Sequence, residues 1–533
     1  MSLSDTADLP SAPTPATPAG TLTEKRKLLI FGIMAFGQFM ALLDIQIVAA
    51  SLNSIQSGLS AGPDEIAWVQ TAYLMAEIVM IPLAAFLSQA ISTRWLFVGS
   101  AVLFTLASLL CGLAWSIESM IVFRAIQGFV GGAMVPTVFA TGFTLFTGKK
   151  RAMIPAILGM VSTLAPTLGP TLGGWITDAW SWHWLFFINI VPGTIIAITL
   201  TLWGKVDDAN LPMLKRIDWM HVASLAVFLG ALQYVLEEGP RYQWFEDETI
   251  KTVAWVSLIG AIVFIERSFY STMPVVKLTP FRHPLFALAC VLNVVIGFGL
   301  YSATYLTPVF LGRVRGFSSL DIGTTVFVSG IFMVFSAPIA ARMTTVVDQR
   351  VVISFGLTLF AISLWMFSFV TSSWGFDELF IPQGIRGFAL LLCIVPSVGM
   401  AMNGLGPDEL RFGSGLFNLM RNLGGAVGIA SVTTWLGDFA RINGAHLGEA
   451  MSARGTDALN GVAARFNALT PDPDQARSML EAQLGLYVSR EALALAFQDV
   501  FTLMACLFVA ALLIVPFCKA AKLSDEAEPP SAH

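Results

Sequence analysis

Long apolar runs, broken by short charged or Gly/Pro-rich segments, recur along almost the whole chain. The runs place spans near 28–52, 66–88, 95–115, 119–142, 152–176, 184–203, 219–237, 250–266, 284–311, 321–341, 351–373, 379–403, 412–438 and 491–517. A helix needs roughly 20 such residues to cross the hydrocarbon core of a bilayer. The pattern therefore predicts fourteen transmembrane helices, and an even number puts both chain ends on one side. Trp68, Trp95, Trp115, Trp203, Trp219 and Trp374 fall at span ends, where an amphipathic ring prefers the membrane interface.

Composition excludes the main alternatives. The 533 residues are 56% hydrophobic and 12% charged, against about 25% charged in soluble chains, so the fold class is an all-α polytopic membrane protein and not a soluble enzyme. A net charge of −5 provides no basic footprint for nucleic acid. Cys111, Cys290, Cys393, Cys506 and Cys518 sit in apolar runs, and neither they nor the five histidines approach metal-ligand spacing. The stretch Gly142 to Lys150 resembles a phosphate-binding loop only loosely, with five residues between its glycines and Lys150 where Ser or Thr is required. No cofactor, metal or ATP drive is expected.

Lys and Arg set the orientation. Short segments on the side of the N-terminus hold Lys25, Arg26, Lys27, Lys149, Lys150, Arg151, Lys215 and Arg216, whereas short loops on the other side hold Arg241, Lys251, Arg313 and Arg315. The positive-inside bias puts both termini in the cytoplasm of a bacterial inner membrane. Residues 1–27, rich in Ser, Thr, Ala and Pro, read as a disordered tail, and 518–533 as a second cytoplasmic tail. Residues 439–490 form the one long external loop, where Leu480, Leu484 and Tyr487 lie at helical spacing.

Ionisable groups inside spans cost about 2.5–3.5 kcal/mol each on insertion scales and normally face a cavity or a partner. Asp44, Glu77, Arg124, Arg386 and Arg421 stand out. At about 1.5 Å per residue, Asp44 in span one and Arg124 in span four lie at similar depths and can pair. Glu77 and Arg421 both fall near the midplane. Burial favours the neutral acid and a nearby guanidinium favours the carboxylate, so such a group can trade a proton, which is the requirement for coupling a proton gradient to transport. Asp44, Arg124, Glu77 and Arg421 are thus the proton-coupling candidates, and Asp44 and Arg386 are candidates for contact with cargo.

Span five reads APTLGPTLGGW. Pro166 and Pro170 remove backbone hydrogen bonds and favour a kink, while Gly169, Gly173 and Gly174 permit close helix approach, a pattern expected of a bent helix at a moving interface. Gly128/Gly132 and Gly424/Gly428 carry the same spacing and read as packing. The stretches Arg124 to Pro136 and Gln383 to Pro396 also echo each other, with basic and amide residues exchanged, as in transporters built from repeated bundles.

The stretches Leu42 to Val48, Arg124 to Gly132, Pro166 to Trp175, Trp182 to Gly193 and Phe417 to Ala430 resemble signature segments of the fourteen-span drug:proton antiporters of the major facilitator superfamily, the EmrB/QacA type. The resemblance covers about residues 28–517. It implies a six-helix bundle at 28–203, two extra helices with linkers at 204–283, and a second six-helix bundle at 284–517, with cargo bound between the bundles. It assigns Arg124 to proton coupling and maps the acidic residue of span one to Asp44; Gln127 and Asn418 are further candidate cargo contacts. Spans two and thirteen would meet, making a Glu77–Arg421 contact plausible. The loop between spans two and three departs from the family: Gln89 stands where an Asp normally latches the inward gate, and Arg94 is its only basic residue.

The function implied is a proton-coupled antiporter exporting small amphipathic toxic compounds by alternating access. Such pumps work with a periplasmic adaptor and an outer-membrane channel, and loop 439–490 is the expected adaptor contact. The alternative is a proton-coupled exporter or symporter dedicated to one endogenous metabolite or siderophore.

Overall fold

The computed structural model describes residues 22–62, 65–271, 273–453 and 473–518. Of the expected tails at 1–27 and 518–533, residues 1–21 and 519–533 lie outside the described residues, as does the centre of the long loop. The first helix already begins at Glu24, inside the stretch read as a disordered tail.

Among the described residues fourteen long helices make up the fold: α1 Glu24–Ala50, α2 Trp68–Ile91, α3 Thr93–Gly112, α4 Ile117–Leu145, α5 Gly148–Ala179, α6 Trp184–Trp203, α7 Trp219–Glu238, α8 Glu248–Tyr270, α9 Pro284–Arg313, α10 Ser319–Val346, α11 Gln349–Phe367, α12 Phe376–Met402, α13 Pro407–Ala453 and α14 Pro473–Leu512. In a bilayer only such internally hydrogen-bonded segments, or closed barrels, leave no backbone group unsatisfied. Starts follow local chemistry. Ser116 and Ser119 exchange side-chain and backbone hydrogen bonds before α4, and Asp348 accepts from Arg350 N–H before α11.

Thirteen helices among the described residues are long and apolar enough to cross a membrane; α13 falls below that mark. Its Ser414, Asn418 and Arg421 are buried against neighbouring helices rather than lipid, so it has no need of a uniformly apolar surface. Lipid-facing positions show the converse, with Trp255, Ile259, Ile262 and Phe269 of α8 exposed.

Helices α1–α6 pack among themselves, as do α9–α14. The two groups meet where α5 lies along α10 and α13 along α2, an exchange that relates the halves by a pseudo-two-fold. The sequence echo has a matching role: Gly128 of α4 abuts the Tyr73 carbonyl of α2, and Gly387 of α12 abuts the Ser329 carbonyl of α10. Gly424 and Gly428 likewise seat α13 on Val294 and Phe298 of α9. Helices α7 and α8 pair with each other, and α7 leans on α2.

Two expectations are corrected. Helix α13 runs on to Ala453 and α14 begins at Pro473, so much of the 439–490 loop is helix. Hydropathy marks where apolarity stops, not where hydrogen bonding stops. The extensions are tied by Asn443 Nδ2 donating to Asp499 at 3.0 Å, and residues 454–472 lie outside the described residues. Helix α5 also continues through Pro155, Pro166 and Pro170 without a break. Gly169 and Gly173 face Gln46 and Ile47 of α1, inside one bundle; Gly174 accepts from Thr177 at 2.9 Å. The face of α5 that meets the other bundle carries Thr167 and Thr171, set against Gly330 and Gly323 of α10.

Candidate functional site

Asp44 of α1 and Arg124 of α4 meet in a fully buried ion pair, Nη1 to Oδ2 2.6 Å. The depth argument brings these two together, and neutral donors complete the shell. Asp44 Oδ1 accepts from Asn189 Nδ2 of α6 at 2.6 Å and from Gln127 Nε2 of α4 at 3.1 Å. Gln127 Oε1 accepts from the same Arg124 Nη1 at 2.7 Å. Ser108 Oγ of α3 accepts from Gln127 at 2.7 Å and from Asn189 at 3.2 Å. Arg124 Nε donates to the Val69 carbonyl of α2 at 3.3 Å, and its guanidinium lies 4.2 Å from the centroid of the Tyr73 ring. Five helices thus contribute to one buried cluster around Asp44. Gln127, expected against cargo, has both ends of its amide committed to this cluster.

Asn189 and Ser108 escape sequence reasoning. Asn189 is the one strongly polar residue inside Trp184 to Gly193 and could have been singled out on that ground; Ser108 in an apolar run carries no signal. Arg124 Nη2 and Tyr73 Oη are buried without a hydrogen-bond partner, so the cluster is not fully satisfied, and a buried polar group left unmet costs about 1–3 kcal/mol.

The expected Glu77–Arg421 contact is not formed. Arg421 Nη2 donates to Asn418 Oδ1, its guanidinium faces the Phe139 ring with 5.6 Å to the centroid, and Nη1 is buried without a partner. Asn418 is held in turn by its Nδ2 donating to the Ser414 carbonyl at 2.9 Å. An amide three residues back on the same helix face captures the guanidinium. Glu77 is 7% exposed and makes no ion pair or hydrogen bond among the described residues. Arg386, in the other bundle, donates to Ala303 O at 2.9 Å, Thr307 Oγ1 at 3.1 Å and Ser329 Oγ at 3.4 Å.

A charge latch of different construction replaces the one missing between α2 and α3. Asp207, in the linker after α6, accepts from Thr93 N–H at 2.9 Å and from Thr93 O–H at 2.7 Å. Its Oδ2 also pairs with Arg411 of α13 at 2.9 Å. The linker is pinned by Asn210 N–H donating to the Ala90 carbonyl at 2.9 Å. One carboxylate therefore holds the α2–α3 turn to the other bundle, on the face where α1 begins and α6 ends.

Comparison with known proteins agrees with this architecture. The sequence profile of the Major Facilitator Superfamily matches residues 34–429. The colistin resistance protein EmrB of Acinetobacter baumannii is 39% identical over 491 residues, covering 91% of this chain and 95% of that one. The multidrug export protein EmrB of Escherichia coli K12 is 28% identical, covering 93% and 96%. Among solved structures, the human organic anion transporter MFSD10 superposes with a TM-score of 0.58 at 14% identity, over 93% of this chain and all of that one, a likeness of fold alone. The chain belongs to the Major Facilitator Superfamily and is a multi-pass membrane transporter of the EmrB multidrug-efflux type.

Proposed function

We propose that this transporter is a proton-coupled antiporter of the bacterial inner membrane, with both termini cytoplasmic, that exports amphipathic toxic compounds by alternating access. The observation that carries the reading is the Asp44–Arg124 pair, fully buried at 2.6 Å where five helices of one bundle meet. When Asp44 takes a proton it becomes a neutral acid and the ion pair is lost, while Arg124 keeps Gln127 as an acceptor. The cluster then has two arrangements, each of which favours a different packing of α1 against α4. Buried groups of this kind mark proton relays. Resistance to colistin and to fatty acids appears in the names of two relatives, which supports amphipathic cargo, and adaptor docking is assigned to the helical extensions around residues 439–490.

The experiment is Asp44→Asn in proteoliposomes. The isosteric amide keeps an acceptor for Asn189 and cannot exchange a proton. Size-exclusion behaviour should match the parent and efflux driven by a pH gradient should vanish. Full pH-driven efflux in that variant would remove Asp44 from coupling.

A further inference from the structure

We propose that the second bundle carries a recognition site for an anionic headgroup, a carboxylate or sulfonate on amphipathic cargo, built on Arg386. The inference rests on the export function proposed above and specifies its cargo.

Three arginines are buried within the helices, and they are not equivalent. Arg124 is neutralised by Asp44. Arg386 and Arg421 are 5% and 3% exposed, and neither has a carboxylate within 4.0 Å among the described residues. Removing an ion from water costs several kcal/mol even after relaxation, and a well-placed opposite charge offsets far more of it than neutral acceptors do. All three acceptors at Arg386 are neutral. Two of the three bonds are to Nη1; the Nε–Nη2 edge carries only the long 3.4 Å bond to Ser329. That edge presents two parallel N–H groups, the fork that clamps a carboxylate.

The space beside Arg386 is about 10 Å³, room for one water, so a headgroup enters only when the helices around it part. The lining is of the kind such a headgroup would meet. Arg386 lines a narrow cleft with Ser329 and Thr304, walled by Met333 and Phe360, and Thr167 of α5 enters it from the other bundle. An anion on Arg386 therefore touches both bundles, and a tail leaving the cleft must part Thr167 from α10. The repeat sharpens the contrast. Arg386 occupies in α12 the place of Gln127 in α4, and Gln383 that of Arg124. Gln383 is fully buried with neither amide atom hydrogen-bonded. One half thus keeps its charge pair internally, and the other keeps a cation with no internal counter-charge.

The test uses the full-length protein and two probes of similar size and opposite permanent charge, the sulfonate 8-anilinonaphthalene-1-sulfonate and the cation ethidium. Binding is measured in detergent and transport in energised everted vesicles. Arg386→Gln should weaken sulfonate binding at least tenfold and change ethidium binding less than twofold. Arg386→Lys should recover only part of the loss, because it restores the charge without the fork. Equal loss of both probes in Arg386→Gln, with no rescue by Lys, would make Arg386 a packing residue and overturn the proposal. Unchanged sulfonate binding, or none in the parent protein, would also overturn it. If ethidium is exported while the sulfonate is not bound, the anion site falls and export stands. If the sulfonate binds through Arg386 and neither probe moves, the site stands and export falls.

Discussion

Replacing Asp207 with Asn is expected to loosen the face of the transporter on which α1 begins. Asp207 can serve Thr93 and Arg411 together only while the two bundles are close at that end. Asn keeps the shape and one acceptor for the Thr93 amide but loses the charge facing Arg411. A hydrogen bond to a charged group contributes about 1.5–3 kcal/mol. The Arg411 side chain is 21% exposed and that of Asp207 6%, and solvent screening trims the gain toward about 1–2 kcal/mol. A change of that size shifts a two-state equilibrium about 5–30-fold. Ala85 of α2 sits one to two turns from this end and faces Gly415 of α13, whose Cβ would lie 3.9 Å from that of Ala85. A cysteine at position 85, in a background lacking the native cysteines, reports separation of the two helices through its rate of labelling by an impermeant maleimide. The rate should rise 5–30-fold in Asp207→Asn, and Arg411→Gln should add little on top. Equal rates in parent and variant, or full additivity of the two changes, would refute the latch.

Other outcomes follow from the same geometry. Asn189→Ala removes the 2.6 Å donor to Asp44 and should destabilise the cluster by about 1.5–3 kcal/mol, read as a lower unfolding midpoint in detergent. Gly128→Val drives a side chain into the Tyr73 carbonyl and should cost about 1–3 kcal/mol. Gly99→Val, where a Cβ meets nothing within 4 Å, should leave the midpoint close to that of the parent. Glu77→Gln removes a buried carboxylate that has no ion pair or hydrogen bond among the described residues, so the midpoint should hold or rise; a fall in pH-driven efflux without loss of stability is the expected signature of a coupling role. Deleting 445–485 should reduce adaptor pull-down and leave efflux in proteoliposomes unchanged; unaltered pull-down would end the docking idea.

Much of this was legible because membrane physics is strict. Thirteen of the fourteen helices among the described residues are recognisable from apolar length alone, and the fourteenth shows as a weaker run at 412–438. A charge in a span is anomalous enough to be noticed singly, which is why Asp44, Arg124, Arg386 and Arg421 were identifiable before their neighbours were known. Neutral partners were not. Asn189, Ser108 and the Val69 carbonyl matter through direction and distance, and a serine or a backbone oxygen looks the same wherever it points. The Glu77–Arg421 expectation failed for a related reason. Equal depth puts two groups in one plane without saying which way each rotamer turns, and Asn418 was the nearer acceptor.

Apolar length and the rarity of charge determined, from the sequence by itself, that the chain crosses a membrane repeatedly and that a handful of ionisable side chains sit where water is scarce. Only the tertiary structure decided which of those charges neutralise each other and which stand uncompensated, and that Asp207 of the linker after α6 supplies the carboxylate missing from the α2–α3 turn. Hydrophobic partitioning acts on each segment independently and is written along the chain, whereas pairing energy falls off within a few ångströms and exists only once helices far apart in sequence are brought side by side.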